Sequence, residues 1–309
     1  MMANKEKNFV SAVVYICDDS PYIENFLQSL SLFLQDKYEK YEIICVNDAS
    51  VDGSTEKIKA FSEKTGCIIS IIHMGIRQGR ELCMNAGLDL AIGDFVFECD
   101  SVKTAYPAEL YWQAYEECLT GYDIVNVCPA KNRALTSSLF YTLFNKYSSS
   151  PYPIQTSLFQ LVSRRAINRV RAISPILPYR KAAYAESGLR VHSIICDDVA
   201  VNSLDAKDYR QEVAIDSLIL YTNTAMSITL GVSFFMLMAL IATVVYIFII
   251  YFGYNKPITG WTTTMLLLTG SFFAIFLILS VMIKYLSILV NLSFKKNKYL
   301  IESIEKIAK

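Results

Sequence analysis

Residues 67–100 read CIISIIHMGIRQGRELCMNAGLDLAIGDFVFECD and carry the pattern that decides the fold. A short run rich in β-branched residues, CIISIIHM, precedes the helical pattern GRELCMNAGLDLAIG, and a second short apolar run, DFVFECD, follows it. This order is typical of a βαβ unit, in which two parallel strands share a sheet and the helix covers one of its faces. The stretch therefore predicts part of a mostly parallel α/β sheet.

The same alternation extends toward the N-terminus. The strand-like runs VSAVVYIC (10–17) and YEIICVND (41–48) are each followed by a helical pattern, at 22–38 and 54–65. The first run ends in two aspartates and has no small-residue cleavage site, so it predicts a strand and not a signal peptide. We predict one α/β domain over residues 1–205.

Polar residues that directly follow the apolar runs are candidates for a site, because ligands of such sheets bind outside the carboxyl ends of the strands. These residues are Asp18, Asp19, Asn47, Asp48, Arg77–Glu81, Glu98 and Asp100. Carboxylates that converge repel one another unless a cation lies between them, and oxygen ligands suit Mg²⁺ or Mn²⁺. Arg77 and Arg80 are suited to bind phosphates. The alternative is that each aspartate only caps the helix that follows it.

The charged residues are divided unevenly along the 309 residues. The overall composition, 53% hydrophobic and 19% charged, excludes a disordered, collagen-like or nucleic-acid-coating chain, so we expect no nucleic-acid partner. Residues 1–225 carry 22 Lys and Arg against 27 Asp and Glu, whereas residues 226–294 carry only Lys256 and Lys284.

Two long apolar runs in the second region, 226–254 and 261–284, predict a transmembrane hairpin. Each is long enough, at 1.5 Å per residue, to cross about 30 Å of hydrocarbon; the alternative is a pair of buried core helices. An amphipathic juxtamembrane segment, 206–225, precedes the hairpin, and a basic tail, 285–309, holds five lysines against two glutamates. Because a lysine excess favours the cytoplasmic side, we expect both the tail and the N-terminal domain to be cytoplasmic.

All eight cysteines lie in the first 196 residues, and they form no C-x-x-C pair. Most of them fall inside apolar strand-like runs, so we predict reduced core thiols in a cytosolic compartment. Only two histidines are present to help the thiols bind a metal.

Several segments of the domain match motifs of one enzyme family. VVYICDD (13–19) is similar to V-V-I-P-x-Y-N-E, and VNDASVDGS (46–54) to V-D-D-G-S-T-D-G-T. IRQGRELCMNAGLDLAIGD (76–94) keeps the spacing of R-N-F-G-K-E-A-A-L-L-A-G-L-D-A-A-x-G-D, and Glu98-Cys99-Asp100 stands in place of a D-x-D site. TSLFQLVSRR (156–165) is similar to the segments T-S-G-F-R and D-F-R-L-x-S-R. On these motifs the chain resembles glycosyltransferase family 2, in particular its membrane-anchored polyprenyl-phosphate glycosyltransferases.

The resemblance implies a GT-A-type (Rossmann-like) domain that moves a hexosyl group, with inversion, from a nucleotide-diphosphate sugar to polyprenyl (undecaprenyl) phosphate; a UDP-sugar is the favoured donor. It also implies a homo-oligomer in the bacterial inner (plasma) membrane, with the catalytic domain and C-terminus cytoplasmic. Mg²⁺ or Mn²⁺ would be held by Asp100 and Glu98. The catalytic residues implied are Asp100, Arg133 and Arg164; Arg133 or Lys131, together with Arg164, would face the acceptor phosphate. The residues implied to contact the nucleotide sugar are Asp19, Asp48, Arg77, Arg80 and Glu81.

The chain departs from the family pattern at Asn47, Glu98, Val102, Leu158 and Gln160. Leu158 stands where many relatives have an acid that is a candidate base, and a sugar-hydroxyl acceptor needs a base. A phosphate monoester has a second pKa of about 6 and is largely dianionic at neutral pH, so it does not. Two alternatives stay open: an enzyme of this family that elongates a lipid-linked or capsular glycan, and a catalytically degenerate pseudoenzyme that acts as a membrane binding partner.

Overall fold

The computed structural model describes most of the first 196 residues and a short C-terminal segment. The described residues are 5–104, 106–130, 141–142, 144–146, 152–173, 179–196, 299–307 and scattered positions between 234 and 289. The chain forms two compact units, one of Met1–Ala214 with Asn297–Lys309 and one of Ile215–Lys296.

The first unit alternates strands and helices as the sequence predicts. Its strands are β1 (Val10–Ile16), β2 (Tyr41–Asn47), β3 (Ile69–Met74), β4 (Phe95–Cys99), β5 (Ile124–Pro129), β6 (Phe159–Ser163), β7 (Val191–Cys196) and β8 (Ile301–Ile307). Its helices are α1 (Ile23–Lys37), α2 (Ser54–Thr65), α3 (Arg80–Leu90), α4 (Ala108–Leu119), α5 (Arg164–Ile173) and α6 (Arg180–Glu186).

These strands form one sheet in the order β7-β5-β6-β4-β1-β2-β3-β8. β1 pairs in parallel with β2 and β4, β2 with β3, and β5 with β7, whereas β6 and β8 run antiparallel to their neighbours. The prediction of a mostly parallel α/β sheet is therefore confirmed. The carboxyl ends of β1 to β4 all lie at one edge of the sheet, which we call the carboxyl edge; the opposite edge is the amino edge.

Helices cover both faces of the sheet because successive side chains of a strand point to opposite faces. In β1, Ala12 and Val14 pack in a core that includes residues of α1, α2 and α4, whereas Val13 and Tyr15 pack with residues of α3, α5 and α6. Helix α3 lies so close to the sheet that a Cβ at Gly87 would be 2.3 Å from Cγ1 of Val13. Any side chain there would force the helix or its valine neighbours in the sheet to shift.

Two local predictions are confirmed. The N-terminal apolar run forms β1, whose seven residues are all buried. All eight cysteines are free thiols, and six of them are buried. Burial raises the pKa of Cys118 to about 12 and that of Cys128 to about 11, so these thiols are protonated and unreactive at neutral pH.

The C-terminal segment corrects the predicted organisation. The sequence pattern predicts only a basic tail over 285–309, but residues 301–307 form β8, in which Ile304 lies opposite Ile72 of β3. The apolar residues of this strand, Ile301, Ile304 and Ile307, are three apart, which is not the alternation by which a strand is recognised. Pairing with the open backbone groups of β3 produces the strand.

The second unit is described at scattered positions, several of them helical. In the part of the chain that the structure describes, no helix has both the length and the apolar character needed to span a bilayer. The predicted span 226–254 lies almost wholly outside the described residues, and 261–284 lies only partly within them. The segment 206–225 lies outside them.

Candidate functional site

Two loops at the carboxyl edge hold each other in place. They follow β1 and β2, and in each of them a non-glycine residue, Asp18 (φ 51°) or Ala49 (φ 49°), has a positive φ. The Asp18 carboxylate accepts a hydrogen bond from the backbone N–H of Val51 (2.9 Å), and the Asp18 N–H donates to Oγ of Ser50 (3.1 Å). Asp18 also pairs with Arg77, so the acid that the sequence singled out organises loops in this structure.

Asp48 fixes the third loop, which connects β3 to α3. Its carboxylate accepts hydrogen bonds from the backbone N–H groups of Gln78 (2.8 Å) and Gly79 (3.0 Å) and from the hydroxyl of Tyr15 (2.9 Å). Burial and the neighbouring Asp48 carboxylate raise the pKa of Tyr15, so it remains a donor. Asp48, implied to contact the nucleotide sugar, thus supports the backbone of the loop that carries the two predicted phosphate-binding arginines.

Those two arginines occupy different environments. Arg77 is more than half exposed, whereas Arg80 begins α3 and lies over the ring of Tyr15, with 5.6 Å between its guanidinium carbon and the ring centre. Arg80 also contributes to lowering the pKa of Asp100. The guanidinium of Arg80 is therefore close enough to Asp100 to favour its anionic form.

Asp19 is nearly buried at the same edge. Its Oδ2 accepts the backbone N–H of Cys17 at 3.1 Å, and its Oδ1 lies 3.8 Å from Nζ of Lys103. Lys103 follows the Glu98–Asp100 segment, and no motif pointed to it. Asp19 and Lys103 together give this edge a neighbouring pair of opposite charges.

A buried arginine, Arg180, lies at the centre of the acidic cluster. Its side chain is fully buried, and Nη2 donates to Oδ1 of Asp100 at 2.6 Å. Its Nε lies 3.4 Å from Oε2 of both Glu81 and Glu98, and its backbone N–H donates to Glu81 at 3.0 Å. Glu81, implied as a nucleotide contact, pairs with Arg180 in this structure.

Glu98, the second residue of the predicted metal-ligand pair, is enclosed by hydrogen-bond donors of the protein. It is fully buried, its Oε1 accepts the hydroxyl of Tyr184 (2.5 Å), and its Oε2 accepts the amide of Gln160 (2.8 Å). Burial raises the pKa of Glu98, while Arg180, Tyr184 and Gln160 oppose that rise. Both carboxylate oxygens are therefore already used inside the protein.

Asp100 has the character expected of a ligand. Burial alone would raise its pKa, but Arg180, Lys181 and Arg80 outweigh burial and hold that pKa well below its usual range. Its Oδ2 lies 3.5 Å from Nζ of Lys181. Within the described residues no three His, Cys, Asp or Glu side chains converge as a metal cage. One anionic oxygen from Asp100 fits Mg²⁺ or Mn²⁺ only if phosphates and water supply the other ligands.

Arg164 lies at the wrong edge of the sheet for the implied contact with the acceptor phosphate. It donates from Nε to the carbonyl oxygen of Gly93 (2.9 Å) and from Nη2 to that of Ala91 (2.8 Å). Because β6 is antiparallel to β4, Ser163 lies opposite Phe95, so the C-terminal end of β6 is at the amino edge. Arg133, the other implied acceptor contact, lies outside the described residues.

Loops at the carboxyl edge of a mostly parallel sheet, with acidic and basic side chains between them, are typical of α/β domains that bind ligands at this edge. Residues 11–161 match the family described as Glycosyl transferase family 2. This match agrees with the resemblance to family 2 glycosyltransferases found in the sequence.

Relatives and solved structures agree with this assignment. An uncharacterized glycosyltransferase of Synechocystis is 25% identical over 61% of this chain and 60% of its own length. A bactoprenol glucosyl transferase of Shigella phage SfV is 26% identical over 53% of this chain and 55% of its own length. The chain thus spans little more than half of each of these two relatives.

The fold also matches a solved enzyme structure. Glucosyl-3-phosphoglycerate synthase from Mycobacterium tuberculosis, in complex with phosphoglyceric acid, aligns with a TM-score of 0.51 at 13% identity. The alignment covers 69% of this chain and 78% of that chain. The GT-A-type sheet that we predicted is therefore confirmed as the fold of the first unit.

Proposed function

We propose that the chain is an inverting hexosyltransferase that moves a sugar from a nucleotide-diphosphate sugar to a polyprenyl phosphate. The observation that carries the proposal is Asp100, kept anionic between Arg180 and Lys181 at the carboxyl edge of a family 2 domain. A UDP-sugar is the favoured donor. The polyprenyl acceptor is supported by the name of the bactoprenol relative.

The proposed reaction moves negative charge from the acceptor phosphate to the leaving diphosphate, and the site holds positively charged side chains near Asp100. An oxygen of the acceptor phosphate forms a bond to the anomeric carbon while the bond from that carbon to the donor diphosphate breaks. The leaving nucleoside diphosphate carries the negative charge. Arg80 and Lys181 lie near Asp100 and would stabilise that charge without rearrangement. A divalent ion on Asp100 would supply additional charge neutralisation for the diphosphate.

Positions 158 and 160, in the segment 156–165, favour a phosphate acceptor over a hydroxyl acceptor. Leu158 is buried, and Gln160 is buried and bonded to Glu98, so neither described position presents a carboxylate to an acceptor. A sugar hydroxyl would need a base there, whereas a phosphate dianion needs only positioning. Arg133 remains our candidate for that positioning.

The membrane location is part of the same proposal. It is supported by the hydropathy of 226–254 and 261–284 and by the lysine excess after them. We propose that this hairpin anchors the domain at the cytoplasmic face of the inner membrane, where the lipid acceptor is available. A homo-oligomer is proposed on the resemblance alone.

The full-length protein in lipid nanodiscs tests the proposal. It is incubated with undecaprenyl phosphate and a panel of UDP-, GDP- and dTDP-sugars, with Mg²⁺, with Mn²⁺ or with EDTA, and nucleotide release and glycosylated lipid are measured. We expect one donor to give both products. Release that requires a glycan acceptor would favour the elongating enzyme. No release and no nucleotide binding with any donor would indicate the pseudoenzyme.

A further inference from the structure

The residue before β8, Leu300, contacts the loop between β3 and α3 through its backbone. The ladder between β3 and β8 is irregular at His73 and Met74, and the N–H of Gly75 then donates to the carbonyl oxygen of Leu300 at 3.2 Å. Beyond this point the side chain of Gln78 continues the pairing. Its Nε2 donates to the carbonyl oxygen of Leu300, and its Oε1 accepts the Leu300 N–H, both at 2.8 Å.

This arrangement holds the loop from two sides. The backbone N–H groups of Gln78 and Gly79 donate to Asp48 beneath the loop, while the side chain of Gln78 is bonded to the backbone of Leu300. Arg77 precedes this clamped pair and Arg80 follows it. The position of both arginines therefore depends on a residue that is 222 positions away in sequence.

Contacts on either side of Leu300 anchor the C-terminal strand itself. The hydroxyl of Tyr299 donates to Asp89 of α3 at 2.5 Å, and Asp89 also pairs with Arg171 of α5. Further along β8, the carboxylate of Glu305 lies 2.8 Å from Nζ of Lys59 in α2. The strand is thus tied to helices on both faces of the sheet and is a firm support for the loop.

We propose that the C-terminal strand positions the arginine loop for the donor diphosphate, with Gln78 as the positioning residue. The inference rests on the proposed function, because it assigns the loop to the donor. Gln78 need not touch the donor. Loss of its two hydrogen bonds releases the loop on one side and adds an ordering cost to donor binding, but the groups that act on the breaking bond remain.

Two variants of the full-length protein act on the contact from opposite ends, and Leu300→Pro leaves the carbonyl oxygen of residue 300 in place. Gln78→Ala deletes the side chain that bridges to the strand. Leu300→Pro removes the N–H that donates to Gln78 and leaves the loop sequence unchanged; proline is tolerated at a strand end. Ser303→Ala, in the exposed part of β8, is the matched control, and Gln78→Glu keeps the acceptor for the Leu300 N–H.

Hydrogen exchange and steady-state kinetics are measured on all four variants. We expect faster amide exchange in the peptide covering 75–82 for Gln78→Ala and Leu300→Pro. We also expect a donor KM about tenfold higher, with kcat within about twofold of the parent. Gln78→Glu, which keeps the acceptor for the Leu300 N–H, should recover part of the protection against exchange but not the KM, because its carboxylate adds a negative charge beside the donor diphosphate. Ser303→Ala should match the parent in both measurements. A general loss of structure would instead lower kcat and accelerate exchange throughout the sheet.

The outcomes separate this inference from the proposed function. Unchanged exchange at 75–82, or faster exchange with an unchanged donor KM, would overturn the positioning role alone. Titration with UDP, GDP and dTDP provides the second arm. If the parent chain binds none of these nucleotides, the proposed function is overturned, even where the variants show faster exchange. The role of the Gln78–Leu300 contact in donor binding is then overturned as well.

Discussion

Both edges of the central sheet carry arginines, but the arginines have different partners at the two edges. At the amino edge, Arg164 donates to backbone carbonyl groups, and the largely exposed Arg165 pairs with Asp123. At the carboxyl edge, the fully buried Arg180 meets three carboxylates, and its Nη1 has no hydrogen-bond partner among the described residues. An arginine whose hydrogen bonds are made to backbone or to a single acid is typical of a structural role. A buried cluster of charged side chains with an unsatisfied donor is typical of a functional site.

The largest expected effect of this difference is on stability. Arg180→Met leaves three buried acids without their common cation, so we expect the free energy of unfolding to fall by about 3–5 kcal/mol. Arg164→Met loses hydrogen bonds to carbonyl groups and should cost about 1–3 kcal/mol. Thermal and urea unfolding of the full-length protein measure both. Equal costs would remove the distinction between the edges, and Arg180→Lys, which keeps the charge, should be less damaging than Arg180→Met.

Catalysis should depend on the acid of one edge only. Asp100→Asn removes the anion at the proposed metal and diphosphate position, and we expect kcat to fall roughly 100–1,000-fold. Asp123→Asn weakens the pair with Arg165 but lies at the other edge, so kcat should change less than about twofold. Nucleotide release from the same donor is the measurement. Full activity of Asp100→Asn would move the site away from the carboxyl edge.

The decrease in the free energy of unfolding at acidic pH should also depend on Asp100. Because Arg180, Lys181 and Arg80 outweigh burial and hold the folded-state pKa of Asp100 below its unfolded value, Asp100 stabilises the fold above the unfolded value, about 3.9. That contribution is lost as the pH falls through the folded pKa. Urea unfolding between pH 6 and pH 2 should therefore show a shallower acid limb for Asp100→Asn than for the parent. An unchanged limb would mean that the cations do not act on Asp100.

The smallest effect is expected for Arg165→Gln. The guanidinium of Arg165 is largely exposed, so water and salt screen its charge, but its partner Asp123 is buried and also accepts a hydrogen bond from Ser163. The free energy of unfolding should fall only slightly, since Asp123 loses one partner and keeps Ser163, and the donor KM should be unchanged within error. A clear loss of activity would show that the amino edge takes part in the reaction after all.

The sequence predicted much of the carboxyl edge because strand ends can be recognised locally. Asp48, Arg77, Arg80 and Asp100 were placed correctly at one edge by counting the polar residues after apolar runs. Their individual roles were less predictable. Asp48 supports a loop and Glu98 is enclosed, since a carboxylate that faces solvent and one that faces a hydrogen-bond donor look the same in a sequence.

Some residues of the site could not be found, or were placed at the other edge, because their positions depend on contacts between distant parts of the chain. Arg180 and Lys181 lie 80 positions or more from Asp100, in a segment without a motif, and only the return of the chain brings them to it. Arg164 was misplaced because the motif that contains it runs into an antiparallel strand, which carries its C-terminal end to the opposite edge.

By itself the sequence determined the alternation of strands and helices, the edge at which a ligand would bind and the family of the domain, because periodicity and motif spacing are local properties. Only the tertiary structure decided which arginine neutralises the acids, which acid stays available and which strand supports the donor loop. Those outcomes depend on strand direction and on contacts between distant parts of the chain, where burial makes each charge pair strong enough to matter.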